Sequence, residues 1–159
     1  MKKLINILCI AFIAALFIWT YQRNEIDPEV DPILTTIVED WKKDIDAVGL
    51  NGSYQIKRID KIIIVDRIPY GLLNGRTTKG VMGRSDYSTR SIYILNRNYS
   101  RGQLKALVYH ELGHYIFQLD HDPNESHIMH TYIEEEPGYY KKNWNTLLPI
   151  YLKKCKEKY

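Results

Sequence analysis

The chain has 159 residues, 45% apolar, 26% charged and 12% aromatic, with a formal net charge of +3, the profile of one globular domain with a short appendage. Those proportions exclude a disordered chain and a collagen-like repeat, and two cysteines, Cys9 and Cys155, are too few for a disulfide scaffold. Lys and Arg number 22 against 19 Asp and Glu, too even a balance to recruit nucleic acid by bulk electrostatics.

Lys2 and Lys3 precede a run from Leu4 to Trp19 with one polar residue, Asn6, before Thr20, Gln22, Arg23, Asn24 and Glu25 restore polarity. This is a charged n-region followed by an apolar h-region. At about 1.5 Å per residue the run spans roughly 24 Å, short of a hydrocarbon core of about 30 Å, so length does not separate a signal peptide from an anchor. Phe17, Ile18, Trp19 and Thr20 offer no small-residue cleavage site, which favours the anchor. Residues 1–23 are therefore expected to be a signal peptide or N-terminal membrane anchor, and 24–159 an exported domain, facing outward if tethered and otherwise secreted or periplasmic.

Apolar residues at Val30, Ile33, Leu34, Ile37, Val38, Trp41, Ile45 and Val48 predict a helix with one buried face, started by Asp31-Pro32 and ended by Gly49. Tyr54 to Asp66, centred on Ile62-Ile63-Ile64-Val65, predicts a central strand covered on both faces. A loop follows over 67–80, rich in Gly and Pro, then two extended segments, Val81 to Tyr87 and Arg90 to Leu95, joined as a hairpin through Ser88-Thr89. From Ser100 to about Leu119 a second helix carries an apolar stripe of Leu104, Val108, Leu112, Tyr115 and Leu119. Residues 120–138 predict an irregular loop. A last helix presents Trp144, Leu147, Leu148, Tyr151, Leu152 and Cys155, with Pro149 kinking it or marking its start. The order predicts an α+β domain in which a mixed sheet packs against the first and second helices, with a C-terminal helix.

All five histidines, His110, His114, His121, His127 and His130, fall in one 21-residue stretch. His110-Glu111-Leu112-Gly113-His114 is the H-E-x-x-H pattern, and it lies inside a predicted helix, as its chemistry requires. Residues four apart on a helix differ by about 40° around the axis, so both imidazoles converge on one ion. Glu111 projects beside them, placed to take a proton from water as general base rather than to ligate. On a helical wheel the histidine face lies opposite the apolar stripe, and Gly113 would allow another backbone to approach closely. A catalytic zinc uses three protein ligands, so a third must come from elsewhere. His121 is the first candidate and requires the chain to turn back between about Ile116 and Asp120. Asp120, Glu134, Glu135 and Glu136 are the others.

The stretch from His110 to His121, followed by Ser126-His127-Ile128-Met129, resembles the metzincin clan of zinc metallopeptidases, nearest to its matrixin-like members. Those proteins carry H-E-x-x-H-x-x-G-x-x-H and then a Met-turn beneath the metal. The resemblance implies a small zincin domain, one catalytic Zn2+, His110 and His114 as ligands, Glu111 as base and Met129 as the Met-turn methionine. It also implies an antiparallel edge strand, here Gly80 to Tyr87, that binds extended substrate. Tyr132 follows at a spacing near that of the transition-state tyrosine of some members. The sequence departs from the pattern twice: Phe117 stands where the family has its turning glycine, and His121 comes eleven residues after His110 instead of ten, leaving Asp120 at the family's offset.

The expectation is thus a zinc metalloendopeptidase acting on protein or peptide substrates, with the membrane contacted through the N-terminal segment if that segment is uncleaved. The competing expectation is a non-catalytic exported domain with a structural zinc, closed by His127 or His130 as fourth ligand. Otherwise His127 and His130 are loop histidines, and the lysines from Lys141 to Lys158 are a solvated helix face.

Overall fold

A computed structural model of the chain describes residues 9–10, 12–13, 26–69, 81–123, 127–136 and 138–159. Most of the expected leader or anchor lies outside them, as do residues 70–80 of the expected loop, Ser126 beside the Met-turn, Asn124, Glu125 and Pro137. No helix among the described residues is long and apolar enough to cross a membrane.

The described residues form an α+β domain. In chain order they give β1 (Glu29–Val30), α1 (Thr35–Ala47), α2 (Gly52–Gln55), a 3-10 turn (Ile56–Arg58), β2 (Lys61–Val65), β3 (Gly83–Asp86), β4 (Ser91–Leu95), α3 (Arg101–Phe117) and α4 (Tyr139–Lys158). The sheet is mixed, in the order β1-β2-β4-β3. β2 pairs in parallel with β1 and with β4, setting Ile62 beside Ile92 and Ile64 beside Ile94. β3 is the antiparallel edge strand, with Gly83 opposite Ile94 and Ser85 opposite Ile92. Side chains alternate across a strand, so Gly83, Ser85, Ile92, Ile94, Ile62 and Ile64 share one face. α3 packs against β3 and β4, and also against α1 and α4.

Several expectations shift, each for a local reason. Val30 is a strand residue, because Glu29 N–H and Asp31 N–H donate to Asp60 O and Ile62 O, both at 2.9 Å. The first helix accordingly begins at Thr35, after a turn in which Asp31 Oδ1 accepts from Ile33 N–H at 3.0 Å. Tyr54 to Arg58 is helical instead of extended, since Asn51 adopts φ +43° and its side chain accepts from Tyr54 N–H. β2 does lie inside the sheet, but Ile63, Ile64 and Val65 are only half-buried. Pro149 sits within a continuous α4. Its missing N–H leaves the Asn145 carbonyl without a helical partner, yet both residues are exposed to water, while Leu147, Tyr151, Leu152 and Cys155 remain buried on the other face.

The core joins α1, α3 and α4 through buried polar tips. Trp41 Nε1–H donates to the Tyr151 hydroxyl at 3.0 Å, which donates to Tyr109 O at 2.9 Å. The Tyr109 hydroxyl donates to Asp44 Oδ2 at 2.6 Å. Each aromatic body is thus buried with its polar end satisfied.

Both cysteines are free thiols, and Cys155 is buried on α4. Burial pushes its thiol up to about 12 and raises the Tyr151 and Tyr109 phenols well above their usual range. In the unfolded chain these groups ionise at about 8.5 and about 10. Their contribution to stability is complete below about pH 8.5 and is lost as the pH rises toward 12. Chemical denaturation across this window should show a midpoint that falls steadily above about pH 9; a midpoint unchanged at about pH 11 would contradict the burial of these three groups.

Candidate metal centre

α3 opens with a capping box. Ser100 Oγ accepts from Gln103 N–H, and the Gln103 side chain accepts from Ser100 N–H at 2.9 Å. From Ala106 to Phe117 every residue except His114 is buried. The helix is therefore not split into a core face and a solvent face, as the apolar stripe suggests. Its histidine side is covered as well, by β3 and by residues 127–129.

The helix ends at Phe117, and Gln118 takes the left-handed conformation, φ +52°. Gln118 N–H donates to His114 O, and Leu119 N–H reaches back to Gly113 O at 3.2 Å, the hydrogen-bond pattern that closes a helix at a left-handed residue. The reversal falls one residue beyond the family's glycine, and His121 correspondingly comes one residue beyond the family's third position.

The reversal brings three rings together. His110 Nε2 and His114 Nε2 are 2.9 Å apart, and His121 Nε2 lies 3.1 Å from His114 Nε2 and 3.2 Å from His110 Nε2. His110 is buried, His114 half-buried and His121 exposed, and among the described residues they form a group close enough to hold a metal ion. His110 Nδ1 lies 2.9 Å from Ile128 O, and His114 Nδ1 lies 2.6 Å from Leu119 O. A carbonyl only accepts, so both Nδ1 atoms carry the proton and both Nε2 atoms turn a lone pair to the centre. Burial, followed by the neighbouring histidine, brings His110 down to about 3, and burial also lowers His114 and His121. Neutral rings with converging lone pairs repel one another unless a cation lies between them. Tetrahedral zinc with nitrogen ligands at about 2.0–2.1 Å separates those nitrogens by about 3.4 Å, close to the distances seen here. The Nδ1–H to carbonyl bonds are the supporting contacts that histidine ligands characteristically make. The donor set fits a zinc ion.

Glu111 is 5% exposed, its carboxylate wedged between α3 and β3. Ser85 Oγ lies 2.8 Å from Glu111 Oε2 and 3.0 Å from Glu111 O. A Cβ on Gly83 would stand 2.6 Å from Glu111 Oε1, so only glycine leaves space for the carboxylate at that position. Burial pushes the carboxyl up to about 7, against the Ser85 hydrogen bond and the Arg84 charge, which hold it down. The group is a base poised near neutrality.

Met129 is fully buried against α3 at Gly113. A Cβ on Gly113 would lie 2.7 Å from Met129 Sδ and 3.1 Å from the Tyr151 ring; the partner that Gly113 admits is a side chain, not the expected backbone. Asp122 N–H donates to Met129 O at 2.8 Å, and Asp122 and His130 form a parallel bridge. That bridge holds the segment carrying His121 against the turn carrying Met129. A cavity of about 430 Å3 opens beside His114, lined by Tyr87, His114, Gln118, Leu119 and Asp120.

The group of converging ligand atoms among the described residues is His110, His114 and His121, without the other sequence candidates. Asp120 is exposed and lines that cavity. Glu134 is tied to the start of α3, its carbonyl accepting from Gln103 Nε2 and its N–H donating to the Tyr140 hydroxyl, both at 3.0 Å. Glu136 pairs with Lys142, and Glu135 is exposed. Tyr132 is 70% exposed, its ring 5.9 Å from that of His130. His127 is buried, with Nδ1 accepting from Met129 N–H at 2.9 Å and Nε2 without a partner among the described residues. His130 Nδ1 donates to Tyr132 O. The residues missed in the sequence are Ser85 and Gly83, whose only trace there is two small residues on the same face of one short strand.

No protein-family model matches the chain, and neither a curated protein nor a solved structure is significantly similar to it.

Proposed function

We propose that the protein is a zinc-dependent endopeptidase of metzincin type. The observation that carries this reading is the convergence of His110, His114 and His121 beside a buried carboxyl, Glu111, whose affinity for a proton is raised to about 7. A site that only bound zinc for stability has no use for that carboxyl, which costs burial energy unless it serves a reaction.

His110, His114 and His121 would hold the ion. Bound there, zinc supplies Lewis acidity, bringing the pKa of a water to about 7 and polarising a peptide carbonyl. Glu111 accepts a proton from the attacking water as its oxygen bonds to the carbonyl carbon. It then delivers that proton to the amide nitrogen as the C–N bond breaks, so that Glu111 ends the cycle as it began. Ser85 and Gly83 keep the carboxylate on the β3 side of the helix throughout. The Ile128 and Leu119 carbonyls keep two rings in the tautomer that presents Nε2.

The test is hydrolysis of an unstructured protein such as casein by the full-length chain. Cleavage should stop on chelation and return with about one equivalent of zinc but not with magnesium; cleavage indifferent to chelator would overturn the reading.

A further inference from the structure

A second cleft is lined largely by cations. Its walls are Tyr54 from α2, Lys57 and Arg58 from the 3-10 turn, and Arg90 from the β3–β4 turn, around a space of about 340 Å3. Arg90 Nη2 donates to Lys57 O at 2.8 Å, and Arg58 Nη1 donates to Ile116 O at 2.9 Å. Backbone carbonyls thus fix both guanidinium groups without neutralising them. Arg90 Nε is 3.1 Å from Asp60 Oδ1 but lacks the angle of a hydrogen bond, so that this buried donor has no acceptor among the described residues. Lys57 makes no ion pair among the described residues. Among the described residues, three cations with one paired carboxylate, Asp60, leave an excess of positive charge at the cleft, in a chain whose acids and bases nearly balance. Holding like charges together is unfavourable until an anion joins them.

A tyrosine pair links this cleft to the cavity beside His114. Tyr87 lines that cavity and donates its hydroxyl to His114 O at 2.7 Å. Its ring stacks on Tyr115, 4.9 Å between centroids, and the Tyr115 hydroxyl donates to Arg58 O at 3.2 Å.

We propose that the cleft is an oxyanion subsite of the proteolytic groove, which seats a carboxylate side chain of the substrate and makes acidic peptides the preferred substrates. The inference rests on the peptidase reading. Free phosphate offers the same chemistry, an oxyanion accepting from guanidinium, ammonium and phenol donors.

Two measurements on the full-length protein separate these sources. The first titrates N-acetylglutamate amide, N-acetylglutamine amide and inorganic phosphate while following the Arg90 Nε–H resonance. The second compares kcat/KM for peptides that differ only in Glu against Gln. The glutamate ligand should bind about tenfold more tightly than its glutamine twin, the acidic peptides should be cleaved about tenfold more efficiently, and Lys57→Gln should shrink both ratios. Lys57→Glu, an exchange at a half-exposed position, should reverse them. Equal behaviour of acid and amide in both measurements overturns the proposal. Phosphate binding without any acid preference in cleavage gives the cleft to a free anion and overturns the substrate assignment. A glutamate preference in binding with no peptide cleaved at all upholds the oxyanion site and overturns the peptidase reading instead.

Discussion

On the peptidase reading, a Glu111→Gln protein should keep its metal and lose hydrolysis by about 10²–10⁴-fold, the range expected for removing a general base. Glutamine has nearly the same shape and retains an oxygen for Ser85, but it cannot accept a proton, and no second base is placed by α3 to replace it. Because burial raises Glu111 to about 7, the exchange to a neutral amide removes a desolvated charge and should leave folding intact or improved. The check is parallel measurement of bound zinc, thermal midpoint and kcat. Full activity with zinc retained would remove Glu111 from the mechanism.

Gly83→Ala should lower kcat through Glu111 without touching any metal ligand. The added methyl would lie 2.6 Å from Glu111 Oε1 and 2.9 Å from its Cγ, so the carboxylate has to leave its position against Ser85. A displacement of about 1 Å in a catalytic group costs on the order of 10²-fold in rate. Gly83 is an edge-strand residue with its φ in the ordinary range, so the backbone itself tolerates alanine, and the expected loss falls on kcat with zinc content unchanged. Ser85→Ala, which keeps the space but removes the hydrogen bond, should fall between the parent and Gly83→Ala. Wild-type kcat in Gly83→Ala would show that the carboxylate's position is immaterial.

How far the chain announces this arrangement depends on the range of the interaction involved. α3 is legible because its signals are local: the Ser100 cap, the H-E-x-x-H spacing and the long apolar run all lie within about 20 residues of one another. The need for a reversal before His121 is likewise readable from helix geometry, although the residue that performs it, Gln118, carries none of glycine's usual signature. Val30 shows the opposite case, since its helical spacing is overridden by ladder bonds to β2, a segment some thirty residues away. The same holds for Tyr54 to Arg58, where a left-handed Asn51 decides the local conformation. Gly83 and Ser85 acquire meaning only when β3 is laid against Glu111, and the close approach expected at Gly113 is made by the Met129 and Tyr151 side chains, which the sequence does not place there. The His110 and His114 pair is thus readable from spacing, while the choice of His121 as the third converging ring, and the residues that hold the rings in place, are contributed by folding.

The central claim is that three histidines hold one catalytic zinc, and the most direct test is metal content. Elemental mass spectrometry on the purified full-length chain, reconstituted with zinc, should find about one ion per molecule. His114→Ala and His121→Ala should each lose it, while Asp120→Asn, altering the residue at the family's usual offset, should keep it. A folded parent that takes up no zinc, or a His121→Ala protein that retains a full equivalent, would contradict the account.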